Sequence, residues 1–224
     1  MIENFDRFVL ANVGPLGRGL LVTLQISVQA VLLAVVIAIF VSLLRALPIR
    51  MLRALCTAYV EFVRSTPIFM QLLWVNYAWP ELFGFPRTAE AAGVIALALQ
   101  SSGYLAETIR AGIEGLARGQ YEAGYAVGMT SPQIALRIVA PQVALAMAPS
   151  LVSQMAIVIK SSTLVSVIAV PDLMYAAMRI VNQWYEPIEV LTSTAFLYFL
   201  IIMLISLAAN RISDRFRAKL GLSH

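Results

Sequence analysis

The sequence is short of the residues from which soluble surfaces and chemical sites are usually built. Of its 224 residues only 12% are charged, cysteine and histidine occur once each, as Cys56 and His224, and the only lysines are Lys160 and Lys219. A soluble domain carries roughly a quarter charged residues, so a chain that is 60% hydrophobic has little with which to face water. One cysteine and one histidine exclude a disulfide framework and a Cys/His metal site within a single chain. Neither lysine sits in a glycine-rich phosphate loop, so no nucleotide-hydrolysing motif is present. An enzyme's catalytic constellation, a repeated pore motif and an internal repeat are equally missing. The N-terminus carries Glu3 and Asp6, without a basic start or a small-residue cleavage site, so no removable signal peptide is expected.

What is present is a series of apolar blocks of bilayer-crossing length. A hydrocarbon core of roughly 30 Å needs about 20 apolar residues. Five blocks qualify, at about residues 19–44, 54–79, 89–109, 132–159 and 188–209. The expected fold is an all-α integral membrane domain over residues 19–209. Residues 1–18 precede it as an extracytoplasmic or interfacial segment, and residues 210–224 follow as a basic cytoplasmic tail. Trp74, Tyr77 and Trp79 read as an interfacial aromatic belt. Pro141 and Pro149 should kink the fourth span. The apolar run of residues 163–170 is too short to cross and reads as a re-entrant or interfacial piece buried in protein.

The net charge of +4 does not point to nucleic acid, because the basic residues flank apolar blocks in short clusters. Arg45, Arg50 and Arg53, then Arg110, Arg118 and Arg137, then residues 211–219 with Arg211, Arg215, Arg217 and Lys219 fall on one side if the spans alternate. The positive-inside rule makes that side cytoplasmic, with the N-terminus outward and the C-terminus inside.

Between the third and fourth spans the chain turns polar and glycine-rich. Gln120, Tyr121, Glu122, Ala123 and Gly124 lead into a helix of about residues 120–128, too short to span, which Gly128 is placed to end. Thr130 or Ser131 then caps the next helix, with Pro132 in its first turn. This segment, with Ile138, Pro141 and Gln142 beyond it, resembles the EAA loop of binding-protein-dependent ABC importer permeases of type I. Gly124 stands where that family usually has a second alanine. The resemblance covers about residues 14–217. Tyr59-Val60-Glu61, Arg64-Ser65-Thr66-Pro67 with Gln71, Gly103-Tyr104-Leu105-Ala106-Glu107 with Arg110, and Lys160-Ser161-Ser162-Thr163-Leu164 are similar to motifs of permeases for polar amino acids.

That resemblance implies a permease subunit of a bacterial cytoplasmic (inner) membrane importer. Residues 120–128 would be its coupling helix, meeting two ABC ATPase subunits that bind the ATP and Mg; this chain would hold no cofactor and catalyse nothing itself. It further implies a second permease subunit, identical or different, and an extracytoplasmic solute-binding protein that docks on the outward loops. The bilayer and an amino acid substrate complete the partners, and nucleic acid is not among them. The rival reading is an ion-coupled secondary transporter, supported by carboxylates and prolines within spans.

Charged residues within spans are costly and face protein or a path. Glu61 and Arg64 share a helix face and are expected to neutralise one another. With Thr66 and Pro67, where the ladder must loosen, they form a candidate substrate path. Gln71, Gln100, Tyr104, Gln154, Lys160, Ser161, Ser162 and Thr163 complete it. Lys160 offers a donor for a zwitterion's carboxylate and Glu61 an acceptor for its ammonium if the two meet. Glu107 and Arg110 read as interfacial ion partners.

Overall fold

The computed structural model describes residues 2–219, with the side chains of residues 13–208 and of Arg211. His224 and the end of the basic tail lie outside the described residues. Among the described residues the chain is helical throughout, without a strand. Helix α1 (Ile2–Ala46) leads to α2 (Arg50–Ser65), α3 (Ile68–Leu73), a π turn (Trp74–Ala78) and α4 (Trp79–Phe83). Then come α5 (Ala89–Glu114), α6 (Arg118–Ala126), α7 (Ser131–Ile134), a second π turn (Ala135–Val139) and α8 (Ala140–Ser161). A 3₁₀ stretch (Ser162–Ile168), α9 (Leu173–Trp184) and α10 (Pro187–Lys219) close the order. Among the described residues three segments are long and apolar enough to cross a membrane on length and hydropathy, namely Val13–Ala46, Ser131–Ile168 and Pro187–Ala208. The other two expected spans exist as helices but are the more polar ones.

The core is built on small residues. Thr23, Ser27, Ala30, Ala34 and Ala38 are each fully buried along one face of α1, spaced three or four apart so that they stack on a single stripe. Their chief neighbour is α5, which buries Ala92, Gly93, Ala96, Ala98, Gly103 and Ala106. In a bilayer there is no hydrophobic gain from burying one apolar helix on another, so close backbone approach supplies the packing energy. At Gly103 that approach is at its limit: a Cβ there would stand 2.6 Å from Val63 Cγ2. α5 is thus the central post, with α1, α2 and α8 around it.

Proline sets where the helices break. Pro67 lacks an N–H and drives Thr66 into extended backbone (φ −81°, ψ 130°), as expected for the residue before proline. The freed carbonyls are recovered by Gln71, whose Nε2 donates to Val63 O at 2.7 Å and Thr66 O at 3.1 Å. The expected single span over 54–79 is therefore two helices with a pinned break. Both π turns end two residues before a proline, at Ala78 before Pro80 and at Val139 before Pro141. A proline cannot bond the carbonyl four residues back and clashes with it, and a locally wider turn carries the chain past that obstacle.

Two features depart from the sequence expectation, whereas the 163–170 run keeps to it, with Val165, Ile168 and Val170 buried in protein. Helix α1 runs through Pro15 without a boundary at residue 18. The 163–170 run is a 3₁₀ helix ended by Ala169 in left-handed backbone (φ 61°). α9 was not anticipated at all; its 12 residues are too short to cross, and Asp172 caps it by accepting from Tyr175 N at 2.8 Å. That cap is also a joint. Thr23 Oγ1 accepts from Leu173 N at 3.1 Å, Tyr198 Oη donates weakly to Asp172 Oδ2 at 3.5 Å, and Gly19 leaves room that any Cβ would deny, 2.7 Å from Asp172 O. Helices α1, α9 and α10 meet there, and burial pushes the Asp172 carboxyl up to about 6.

Candidate functional site

α6 occupies the segment singled out from sequence, shifted about one half-turn upstream, at Arg118–Ala126. Its end is a Schellman motif: Met129 N donates to Gly124 O at 3.0 Å and Gly128 N to Tyr125 O at 3.0 Å, with Gly128 at φ 79°. That left-handed position favours glycine. The next helix starts at once, with Gln133 Oε1 accepting from Thr130 N at 2.9 Å, half of a capping box. Turn and cap together aim α6 back across α7 and the second π turn.

The seat of α6 is Gly124. It is the buried residue of the helix, and a Cβ built on it would lie 2.8 Å from Ile134 Cγ1 and 3.2 Å from Ile138 Cδ1. Glycine in place of the more usual alanine lets α6 lie closer on those two isoleucines, Ile134 just before the second π turn and Ile138 inside it. Tyr121 is half-buried against the same core, whereas Gln120, Glu122 and Ala123 are exposed. Gln120 Oε1 receives a long hydrogen bond from Gln142 Nε2 at 3.4 Å. The buried face holds α6 to the rest of the helical bundle, and the face that carries Glu122 is exposed. Ile134 was not marked from sequence, although its i, i+4 spacing from Ile138 is the signal that places both on one face.

The polar residues of the proposed path divide into two groups. Glu61 and Arg64 are exposed on α2, with Thr66 half-buried and Pro67 exposed at its end. The expected Glu61–Arg64 ion pair does not form. Arg64 lies over the Tyr104 ring at 5.3 Å, and Glu61 accepts only a long bond from Ser65 Oγ at 3.4 Å. The aromatic face one helix away takes the guanidinium instead, a cation–π arrangement that leaves the carboxylate available. Below Glu61, one stripe of α2 lines an open hollow of about 590 Å³ with Arg50, Arg53, Ala54, Thr57 and Ala58.

The second group is built into the protein. Gln71 is 3% exposed and Gln154 6%. Gln71 pins the helix break, and Gln154 Nε2 donates to Ser101 Oγ at 3.0 Å, tying α8 to α5. Ser162 is fully buried and donates to Ile159 O at 2.8 Å, while Thr163 donates to Lys160 O at 2.8 Å. These hydroxyls close the end of α8 on itself. Gln100 and Ser161 are half-buried, and Lys160 is exposed without an ion pair among the described residues. Lys160 and Glu61 do not meet within this chain.

Near the C-terminal end of α5 the expected Glu107–Arg110 pair forms, with Arg110 Nε donating at 2.8 Å, and two further partners join it. Arg45 Nη1 at the end of α1 donates to Glu107 Oε1 at 2.7 Å, and Arg110 Nη1 to Glu114 Oε2 at 2.7 Å. Sequence spacing gave the local pair; Arg45, which is 62 positions away, has no such signal.

Comparison with known proteins agrees with this geometry. Residues 30–221 match the family described as binding-protein-dependent transport system inner membrane component. A putative glutamine transport system permease protein of Rickettsia conorii is 34% identical over 198 residues, covering 88% of this chain and 91% of the relative. The arginine transport system permease protein of Bacillus subtilis is 28% identical over 201 residues, covering 90% and 92%. Among solved structures, the crystal structure of an amino acid ABC transporter with histidines superposes with a TM-score of 0.85 at 32% identity, covering 92% of this chain and 96% of the other.

Proposed function

The chain belongs to the family of binding-protein-dependent transport system inner membrane components, and from that premise we propose that it carries a polar amino acid through the inner membrane as the permease of an ABC importer. The observation that carries this reading is α6, a short helix seated through Gly124 with its Glu122 face exposed. Such a helix is a rigid knob for a soluble partner. Two ATPase subunits that bind ATP and Mg take the knobs of two permease chains, and their closing pushes on Ile134 and Ile138.

A second permease subunit is supported by α2. Its exposed stripe carries Glu61 and Arg64 within the second span, continuing from Arg50 and Arg53 at its flank, and charges at membrane depth face protein or a water-filled cavity rather than lipid. Paired with the same face of another permease, the stripe lines a path between them. Glu61 accepts the ammonium of a zwitterionic substrate, Arg64 held over Tyr104 offers a cation to its carboxylate, and the break at Thr66-Pro67 exposes backbone to the path. Lys160 contributes from its exposed position at the end of α8. The relatives act on glutamine and arginine by name, and polar amino acids are the substrate class common to them.

An external solute-binding protein docks on the outward loops, around residues 80–88 and 171–187. An ion-coupled secondary transporter would leave α6 without a purpose and is not favoured. The test is the ATPase activity of the assembled complex in lipid nanodiscs. Glu61→Gln and Lys160→Ala should each lower activity stimulated by the loaded binding protein more than basal activity. Equal effects on the two activities would remove these residues from the path.

A further inference from the structure

α6 delivers its motion to α8 through Ile134 and Ile138, but it is also joined covalently to α5 by only three residues, 115–117, between Glu114 and Arg118. What α5 does at its cytoplasmic end therefore bears on coupling. That end is thinly packed: Arg110, Ala111, Ile113 and Glu114 are exposed. Its close apolar approach is at Gly112, where a Cβ would stand 3.2 Å from Val143 Cγ1 of α8. On the opposite side the attachment is ionic. Glu107 receives Arg45 Nη1 at 2.7 Å and Arg110 Nε at 2.8 Å, one on each carboxylate oxygen, and Arg45 Nη2 continues to Thr57 Oγ1 of α2 at 3.3 Å. One carboxylate thus joins the ends of α1 and α5, and α2 through Arg45.

From this geometry we infer that Glu107 is a positioning residue for coupling: it clamps the arm that carries α6 to α1 and α2, so that the coupling helix drives those helices as well as α8. The inference rests on the permease reading and names a second route by which that reading works. Arg45 and Glu107 have side chains 17% and 22% exposed, so the pair is screened less than a surface ion pair. Bidentate use of both carboxylate oxygens fixes orientation as well as distance. Arg110 and Glu114 extend the network along the arm. Without the central carboxylate, two like-charged guanidinium groups are left facing one another. The arm then yields when α6 is pushed, and ATPase closure is no longer resisted by the load of α1 and α2.

The test uses the permease assembled with its ATPase subunits in nanodiscs, without binding protein. Glu107→Gln keeps the shape and removes the charge. It should raise basal ATPase several-fold while the melting temperature of the complex changes little. Arg45→Ala should raise it in the same way, and the double variant Arg45→Ala/Glu107→Gln should go no further than the larger single effect, as expected for partners in one interaction. Basal rates unchanged from wild type, or single effects that multiply in the double variant, would overturn the inference. A fall in both melting temperature and ATPase would overturn it too, by making the cluster a fold contact only. Failure of the permease reading itself has a different signature: no ATPase subunit co-purifies with the wild-type chain.

Discussion

Single residues decide two separate properties of this chain. Gly124 decides how close the coupling helix lies. Replacing it with leucine puts a branched side chain where even a Cβ is within 3 Å of Ile134, and overpacking of this kind costs on the order of 1–3 kcal/mol. Gly124→Leu should weaken co-purification of the ATPase subunits by lifting α6, while the membrane helices stay folded; retention of full binding and stimulation would count against the seat. Asp172 decides the pH response of the joint between α1, α9 and α10. Its carboxyl is raised from an ordinary 3.8 to about 6 by burial, so the folded state holds a proton more tightly than the unfolded chain. Its stabilising contribution is complete below about pH 4 and is lost as pH rises through about 6, a difference of about 3 kcal/mol. Asparagine still caps a helix. Thermal melts should therefore show wild type gaining stability between about pH 8 and pH 5, and Asp172→Asn showing less of that gain.

At the scale of elements, proline placement does most to shape the transport machinery. Pro141 forces the wide turn that carries Ile138, one of the residues on which α6 rests, so on the proposed function coupling force enters α8 at a place where the ladder is already irregular. In Pro141→Ala the regular ladder becomes available, and removing a helix-interior proline relieves up to about 3 kcal/mol. The melting temperature should stay level or rise, and stimulation of ATPase by binding protein should fall; unchanged stimulation would mean that the wide turn is passive. The helices themselves were legible in the sequence because their apolar blocks are long, and the α6 turn was legible because Gly128 and Thr130 have few other uses. α9 was hidden, because a short amphipathic helix between Asp172 and Pro187 looks like an outward loop until its apolar face finds α1 and α10. The loss of the Glu61–Arg64 pair was hidden for a related reason. Spacing along one helix puts two charges within reach, but only the neighbouring helix could supply the Tyr104 ring that takes the arginine. Arg45 joined Glu107 unseen for the same reason, and Gln71 and Gln154 looked like path residues because polarity in a span does not say which way a side chain faces.

Taken whole, the chain closes one side of its helical bundle and leaves another side open. One side of the bundle is closed by small-residue packing around α5, whereas α2 leaves charged groups uncovered and α6 leaves a helix face uncovered. On the function proposed above, each uncovered face takes a partner of different chemistry: a second permease across the path for α2, and a soluble ATPase for α6. The proposed function puts Glu122 at the contact with the ATPase. The most direct measurement is site-specific photo-crosslinking from position 122 in native membranes, with the captured protein identified by mass spectrometry. The account predicts a crosslink to a nucleotide-binding subunit on the cytoplasmic side. Capture of no such subunit, or labelling of position 122 by a reagent confined to the outside of the cell, would contradict it.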